Sequence, residues 1–192
     1  TSLVFSPDGY LYVSSRFEGE VYRVERDGSF RSIVSDLGVA CGMAFSPEGT
    51  LYVGDRSGTV FSVDKSGHAT TFAKVPSSVA AFHLALGHDG NLYVSAPTLS
   101  SYDHIYRIDR DGRIDPIDSK FGRPQGLAVD AHGVLYVVEA LAGVSGVYRL
   151  DQDGNRSCVL AAPNLVGIAF DSSGGLVVSS RETAYRFDGE QQ

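Results

Sequence analysis

Phe5-Ser-Pro-Asp-Gly-Tyr-Leu-Tyr-Val13 returns as Phe45-Ser-Pro-Glu-Gly-Thr-Leu-Tyr-Val53, then as Leu86-Gly-His-Asp-Gly-Asn-Leu-Tyr-Val94, Val129-Asp-Ala-His-Gly-Val-Leu-Tyr-Val137 and Phe170-Asp-Ser-Ser-Gly-Gly-Leu-Val-Val178. The marker glycines Gly9, Gly49, Gly90, Gly133 and Gly174 stand 40, 41, 43 and 41 residues apart. A second marker follows each first one: Val21-Tyr-Arg-Val24, Val60-Phe-Ser-Val63, Ile105-Tyr-Arg-Ile108, Val147-Tyr-Arg-Leu150 and Ala184-Tyr-Arg-Phe187. A fixed period of this length is the signature of a repeat architecture.

Within each unit, aromatic and β-branched residues alternate at period two between turn-forming dipeptides, the pattern of short strands. In the second unit strand A is expected over Gly42–Phe45, B over Leu51–Val53, C over Thr59–Val63 and D over His68–Phe72. The A–B turns carry Asp8-Gly9, Glu48-Gly49 and Asp89-Gly90, and the C–D turns Asp27-Gly28, Asp111-Gly112 and Asp153-Gly154. Glycine suits these hairpins because they need a positive φ. A four-stranded meander of about 40 residues cannot bury both faces alone, so the units must stack radially. The fold class expected is therefore all-β, a β-propeller of four-stranded antiparallel blades. The blades fall at about 1–40, 41–81, 82–124, 125–165 and 166–192 of a single domain or propeller segment. Four are complete and the fifth has three strands, as a small five-bladed ring or, the favoured reading, as part of a larger one. Open blade edges would then offer a route to self-association. No segment sustains a helical apolar stripe over three turns.

Composition narrows the function classes. With 192 residues, 43% hydrophobic and 20% charged, the chain is long enough to bury a core and is not of disordered composition. A formal charge of -7 lacks the basic footprint that phosphate binding needs, which argues against nucleic acid. No stretch approaches the roughly 18 apolar residues of a membrane span. Cys41 and Cys158 are too few for a disulfide framework and lack CxxC spacing. Met43 is the sole methionine and the chain opens at Thr1, so the start of the reading frame is expected to lie outside it, and no compartment is assigned.

A meander places the A–B and C–D turns at one end and the B–C and D–A connections at the other. From each marker glycine to the next second marker there are 12, 11, 15, 14 and 10 residues, so the B–C loops vary while the turns are uniform. Binding residues are expected on the variable face. The longest loop brings Tyr102, Asp103 and His104, and blade four contributes Glu139. Ser15-Arg16, Asp55-Arg56 and Ser180-Arg181 recur at the end of strand B. Three guanidinium groups on one rim can receive a carboxylate or phosphate bidentately; alternatively each pairs with a local acid, Glu18, Asp55 or Glu182, in a solvated bridge of little worth. The candidate ligand-binding set is thus Arg16, Glu18, Asp55, Arg56, Tyr102, His104, Gln125, Glu139 and Arg181. Thr1, Cys41, Phe82, His83, Gln125 and Val166 are expected to line the channel, His83 as a structural histidine or a general base, and Cys41 as a buried, inert thiol. Asp109-Arg-Asp-Gly112 and Asp151-Gln-Asp-Gly154 open like a calcium loop but lack its later ligands and read as turns.

The consensus Gly-Φ-Ala-Φ-Asp-x-x-Gly-x-Leu-Tyr-Val, best seen in Pro124-Gln-Gly-Leu-Ala-Val-Asp-Ala-His-Gly-Val-Leu-Tyr-Val137, resembles the NHL-repeat propellers and the wider senescence-marker-protein/gluconolactonase superfamily. The resemblance implies a six-bladed ring. For the enzymes it implies hydrolysis of sugar lactones and related esters with a channel metal held by Glu, Asn and Asp just before strand A. The equivalent positions here are Thr1, Cys41, Phe82, Gln125 and Val166, and none is a carboxylate; Gln125 stands where the family has the asparagine of Pro-Asn-Gly. No catalytic residue, metal ligand or cofactor is therefore assigned. The leading expectation is a binding scaffold that presents its B–C and D–A loops to a small ligand or protein partner. The alternative is a metal-dependent lactonase-like hydrolase, using calcium, manganese or zinc, with ligands partly outside this segment.

Overall fold

A computed structural model describes residues 2–80, 82–141, 145–151 and 153–187, with backbone alone at 118–120. It forms five antiparallel sheets, each a simple meander, and the described residues contain no helix. Blade one holds β1 (Leu3–Phe5), β2 (Leu11–Ser15), β3 (Glu20–Val24) and β4 (Phe30–Val34). Blade two holds β5 (Ala40–Phe45), β6 (Leu51–Asp55), β7 (Thr59–Val63) and β8 (Ala69–Lys74). Blade three holds β9 (His83–Leu86), β10 (Leu92–Ser95), β11 (Asp103–Ile108) and β12 (Ile114–Phe121), and blade four β13 (Pro124–Val129), β14 (Leu135–Glu139), β15 (Gly146–Leu150) and β16 (Arg156–Ala161). Blade five has three strands, β17 (Gly167–Phe170), β18 (Leu176–Ser179) and β19 (Ala184–Phe187). The architecture is that of a five-blade β-propeller. The strand bounds depart from expectation only at their ends: β5 begins two residues early and β6 runs on through Asp55, which puts that acid in a strand rather than a loop.

The turns close as the dipeptides imply. In the first, Gly9 N donates to Ser6 O and Ser6 N to Tyr10 O, with Gly9 at φ 82°, the three-residue hairpin that needs a left-handed residue at its last position. At the C–D turns the leading carboxylate satisfies the loop backbone: Asp109 Oδ1 accepts from Asp111 N and Arg113 N, each at 2.9 Å. Asp151 Oδ1 does the same for Asp153 N and Asn155 N. The two calcium-like openings are therefore hairpin turns whose leading acids, Asp109 and Asp151, are already engaged.

Packing explains the repeated Leu-Tyr-Val. Its Leu and Val face the preceding blade and its Tyr the following one: Leu51 and Val53 join Val4 and Val21 of blade one, while Tyr12 meets Phe45 edge-on at 4.8 Å. Val53, Val94 and Val137 are all fully buried, each worth about 1.5–3 kcal/mol of transfer free energy. The inner strands pack in series, β1 on β5, β5 on β9, β9 on β13 and β13 on β17. In β5 and β13 that close approach requires the glycine of Gly-Φ-Ala-Φ, because a Cβ at Gly42 would stand 2.8 Å from His83 Cα, and one at Gly126 would stand 2.8 Å from Val166 O. Serines clamp the other two seams: between blades one and two Ser14 Oγ donates to Cys41 O at 2.7 Å, and between blades three and four Ser95 Oγ donates to Gln125 O at 2.6 Å.

The row Phe45–Leu51–Val63–Ala69 of blade two is packed on blade one. Its counterpart in blade one, Phe5–Leu11–Val24–Phe30, leaves Phe5 67% and Phe30 71% exposed. At the other end of the array, every residue of β19 is exposed.

Candidate functional site

The D–A linkers thread between neighbouring B–C loops and build the variable face. Leu37 N donates to Gly19 O, Arg56 N to Val39 O, Ser78 N to Arg56 O and Val79 N to Pro97 O. The first residues of strand A follow these linkers and rim the channel. In blades two and four β5 and β13 are bulged at Cys41-Gly42 and Gln125-Gly126, a distortion that re-aims the side chains beside it.

Cys41 and Phe82, expected in the channel lining, are 5% and 1% exposed and adjoin one another where β5 meets β9. The Phe82 ring covers Gly54 so closely that a Cβ there would overlap it. Burial raises the Cys41 thiol pKa, while the Arg16 and Arg56 guanidinium groups pull it the other way. Gln125 is buried, with Nε2 3.4 Å from Arg123 O as donor. Val166 is half-buried and uses its backbone on Ser179 O and Gly126 N. Thr1 lies outside the described residues.

His83 occupies the place that Gly42, Gly126 and Gly167 hold in other blades, paired directly with Ser95 and without a bulge. An imidazole stands where three of the other blades carry glycine and blade one carries Ser2, and its Nε2 is buried without a hydrogen-bond partner among the described residues. Burial lowers its pKa to about 4, so the ring is neutral at pH 7.

The three rim arginines do not pair with the local acids. Glu18 accepts from Ser15 Oγ at 2.6 Å and Tyr22 Oη at 3.1 Å, two bonds that lower its pKa. Asp55 is buried and takes Val39 N at 2.8 Å together with Ser57 Oγ. Among the described residues Arg16 and Arg181 make no hydrogen bond or ion pair, and Glu182 accepts none. Arg56 donates from Nη2 to Val79 O at 2.9 Å and keeps a buried Nε unpartnered. Local salt bridges, one of the two sequence expectations for these arginines, are thus replaced by acids serving as loop anchors.

Glu139 is fully buried and receives Arg156 Nη1 at 2.8 Å, while the same guanidinium lies 5.2 Å from the Phe121 and Tyr148 ring centroids. It belongs to the blade-four core and not to an open rim. In the blade-three loop Tyr102 is 58% exposed and His104 stacks obliquely on Tyr106 at 5.9 Å. The buried member is their neighbour Asp103, 5% exposed, whose Oδ1 accepts from Thr98 N and Oγ1 and whose Oδ2 has no partner among the described residues. Alternation along β11 was the signal that could have singled it out, since Asp103 shares its face with Ile105.

The pore positions do not suit a hard divalent cation. Phe82 and Val166 carry no donor, Cys41 is a thiol held protonated by burial, and Gln125 supplies one amide, whereas such ions need several converging oxygens. Among the described residues no three His, Cys, Asp or Glu side chains converge. Two cavities open at the opposite, short-turn end. One of about 600 Å³ is lined by Phe5, Phe45, Tyr52, Leu86, His88 and Arg110, and one of about 420 Å³ by Tyr12, Arg23 and Lys65 among others.

No family model matches the chain, and no curated protein matches it. Solved structures do. A gluconolactonase from Xanthomonas campestris superposes with a TM-score of 0.78 at 18% identity, over 94% of this chain and 69% of its own. A catalytically inactive virginiamycin B lyase from Staphylococcus aureus, solved with quinupristin, gives 0.72 at 15% identity over 96% and 68%. A streptogramin B lyase gives 0.75 at 14% over 95% and 62%. At these identities the likeness is one of fold: the chain shares the β-propeller of gluconolactonases and streptogramin lyases.

Proposed function

We propose that this propeller is a binding scaffold whose B–C and D–A face receives a small ligand. The observation that carries this reading is the placement of unsatisfied polarity. Arg56 Nε, His83 Nε2 and Asp103 Oδ2 are buried without partners among the described residues, and all three stand at that end of the blades. At the opposite end the turn carboxylates are engaged with their own loops. An unpaired buried polar group costs about 1–3 kcal/mol, and a bound ligand that hydrogen-bonds to it recovers that cost. Arg16, Tyr102, His104 and Arg181 complete the face.

Mapping of a small-fragment library by NMR tests the reading. Shifts should gather at residues 14–19, 37–41, 54–58, 78–80, 82–83 and 96–104. Shifts confined to the Phe45, Leu86 and Arg110 cavity would refute it. A second reading, lactone hydrolysis, is favoured by the gluconolactonase among the structural neighbours. Its measure is turnover of a panel of sugar and acyl lactones with and without chelator; activity that a chelator abolishes would replace the binding-scaffold reading.

A further inference from the structure

We infer that the cavity of about 600 Å³ at the short-turn end is a second binding site, separate from the variable face, for a flat, uncharged aromatic molecule that carries a carbonyl-type acceptor. Its volume lies within the roughly 300–1,000 Å³ usual for small-molecule sites. Three blades build it. Phe5 and Phe45 close β1 and β5, Tyr52 comes from β6, Leu86 closes β9, and His88 and Arg110 stand on the A–B and C–D turns of blade three. Two of these rings are held by rings outside the cavity: Tyr12 meets Phe45 edge-on at 4.8 Å, and Phe72 lies against Tyr52 at 5.0 Å. The Arg110 guanidinium lies over Gly90 and leaves no room there for a Cβ. The walls are thus in place before a ligand arrives, which lowers the cost of binding one.

The donors on these walls are free because blade two departs from its neighbour. In blade three Tyr93 Oη donates to the turn carboxylate of Asp89 at 2.9 Å. Glu48 holds the equivalent place in blade two, but its own backbone N–H and then Ser46 engage its carboxylate and lower its pKa, with a weaker contribution from Arg110. The Tyr52 hydroxyl is therefore left without a hydrogen bond among the described residues, as are the His88 ring and the Arg110 guanidinium. Burial raises the Tyr52 pKa and Glu48 adds to the rise, while Arg110 opposes both, so the phenol, the guanidinium and the carboxylate share one neighbourhood. One charge of each sign on the wall selects neither an anion nor a cation. What the cavity offers is ring faces, Phe5 and Phe45 among them, beside two uncommitted donors, Tyr52 Oη–H and Arg110, which suits an aromatic molecule with an acceptor oxygen.

Indanone, an uncharged and nearly flat bicycle with one ketone, is the probe, followed by NMR at the backbone, the Tyr52 ring, the His88 imidazole and the Arg110 Nε–H. It should bind saturably with shifts at residues 45–52, 86–90 and 110. Its affinity should exceed that of cyclohexanone, which keeps the acceptor and lacks the aromatic ring, by at least about fivefold. Tyr52→Phe and Arg110→Gln should each weaken binding by about fivefold to tenfold, as expected for loss of one donor. Neither side chain gives up a hydrogen bond within the described protein, and phenylalanine keeps the ring contact with Phe72, so the comparison does not rest on an altered fold. Indane carboxylate, the anionic counterpart, should bind more weakly than the ketone. Tighter binding of the carboxylate, equal affinity for cyclohexanone, absence of saturable binding at the short-turn end, or indifference to both substitutions would overturn the inference. Fragment shifts at the B–C and D–A face with none here would remove this site alone and leave the binding-scaffold reading standing.

Discussion

Replacing His83 with glutamine should flatten the acid limb of the stability curve. In the folded chain its pKa sits at about 4 because burial penalises the imidazolium, against about 6.5 in an unfolded chain. As pH falls, the unfolded state therefore takes up the proton first, and between these two values it binds more protons than the native state. The stabilising contribution of the neutral ring is complete above about pH 6.5 and decays toward pH 4. A displacement of about 2.5 at 1.36 kcal/mol each amounts to about 3 kcal/mol, a large part of a typical 5–15 kcal/mol total. Urea unfolding of the wild type and His83→Gln at intervals from pH 7 to pH 4 isolates this loss, since carboxylates titrate in both proteins and cancel in the difference. The gap between the two curves should change by about 3 kcal/mol over that range. Direct titration of the His83 imidazole by NMR supplies an independent check. A midpoint above pH 6, or parallel stability curves, would show that the ring is solvated and that the argument from burial fails.

Other consequences concern the seams between blades. Ser95→Ala removes the donor to Gln125 O and should cost about 1–2 kcal/mol in chemical denaturation; Ser14→Ala should cost a similar amount through Cys41 O. Gly54→Ala forces a methyl group into the Phe82 ring and should destabilise by about 1–3 kcal/mol, read as a lower urea midpoint with unchanged slope. Arg156→Met removes a guanidinium from the fully buried Glu139 and should cost about 3–5 kcal/mol, more than Arg107→Met, whose partner Asp115 is 64% exposed and whose loss should stay within about 1 kcal/mol by thermal unfolding.

Much of the fold was legible because each repeat states the same local physics five times. Period-two alternation marks the strands, and aspartate with glycine marks the hairpins. Glycine at Gly42 and Gly126 records a backbone approach that no side chain permits. The candidate site was legible in kind more than in membership. Arg16, Arg56 and Arg181 stood out as a recurring trio, yet the choice between a free rim and local ion pairs was not legible, because nearness in sequence does not say that Asp55 turns back to the linker at Val39. In the blade-three loop Tyr102 and His104 drew notice by type, but the residue committed to the interior is Asp103. Glu139 counted as a loop acid until Arg156, from a strand two places away in its sheet, closed over it.

The division follows from the range of the forces involved. Alternation, turn chemistry and repeat length act over a few residues, so the chain by itself determined the blades, their order and the end of the propeller where the loops vary. Which polar groups share a neighbourhood depends on the stacking of one blade on the next, and only tertiary structure decided it. Ser14, Cys41, Gly54 and Phe82 come from three blades and meet only through that stacking: Ser14 Oγ bonds the Cys41 carbonyl and the Phe82 ring lies on Gly54.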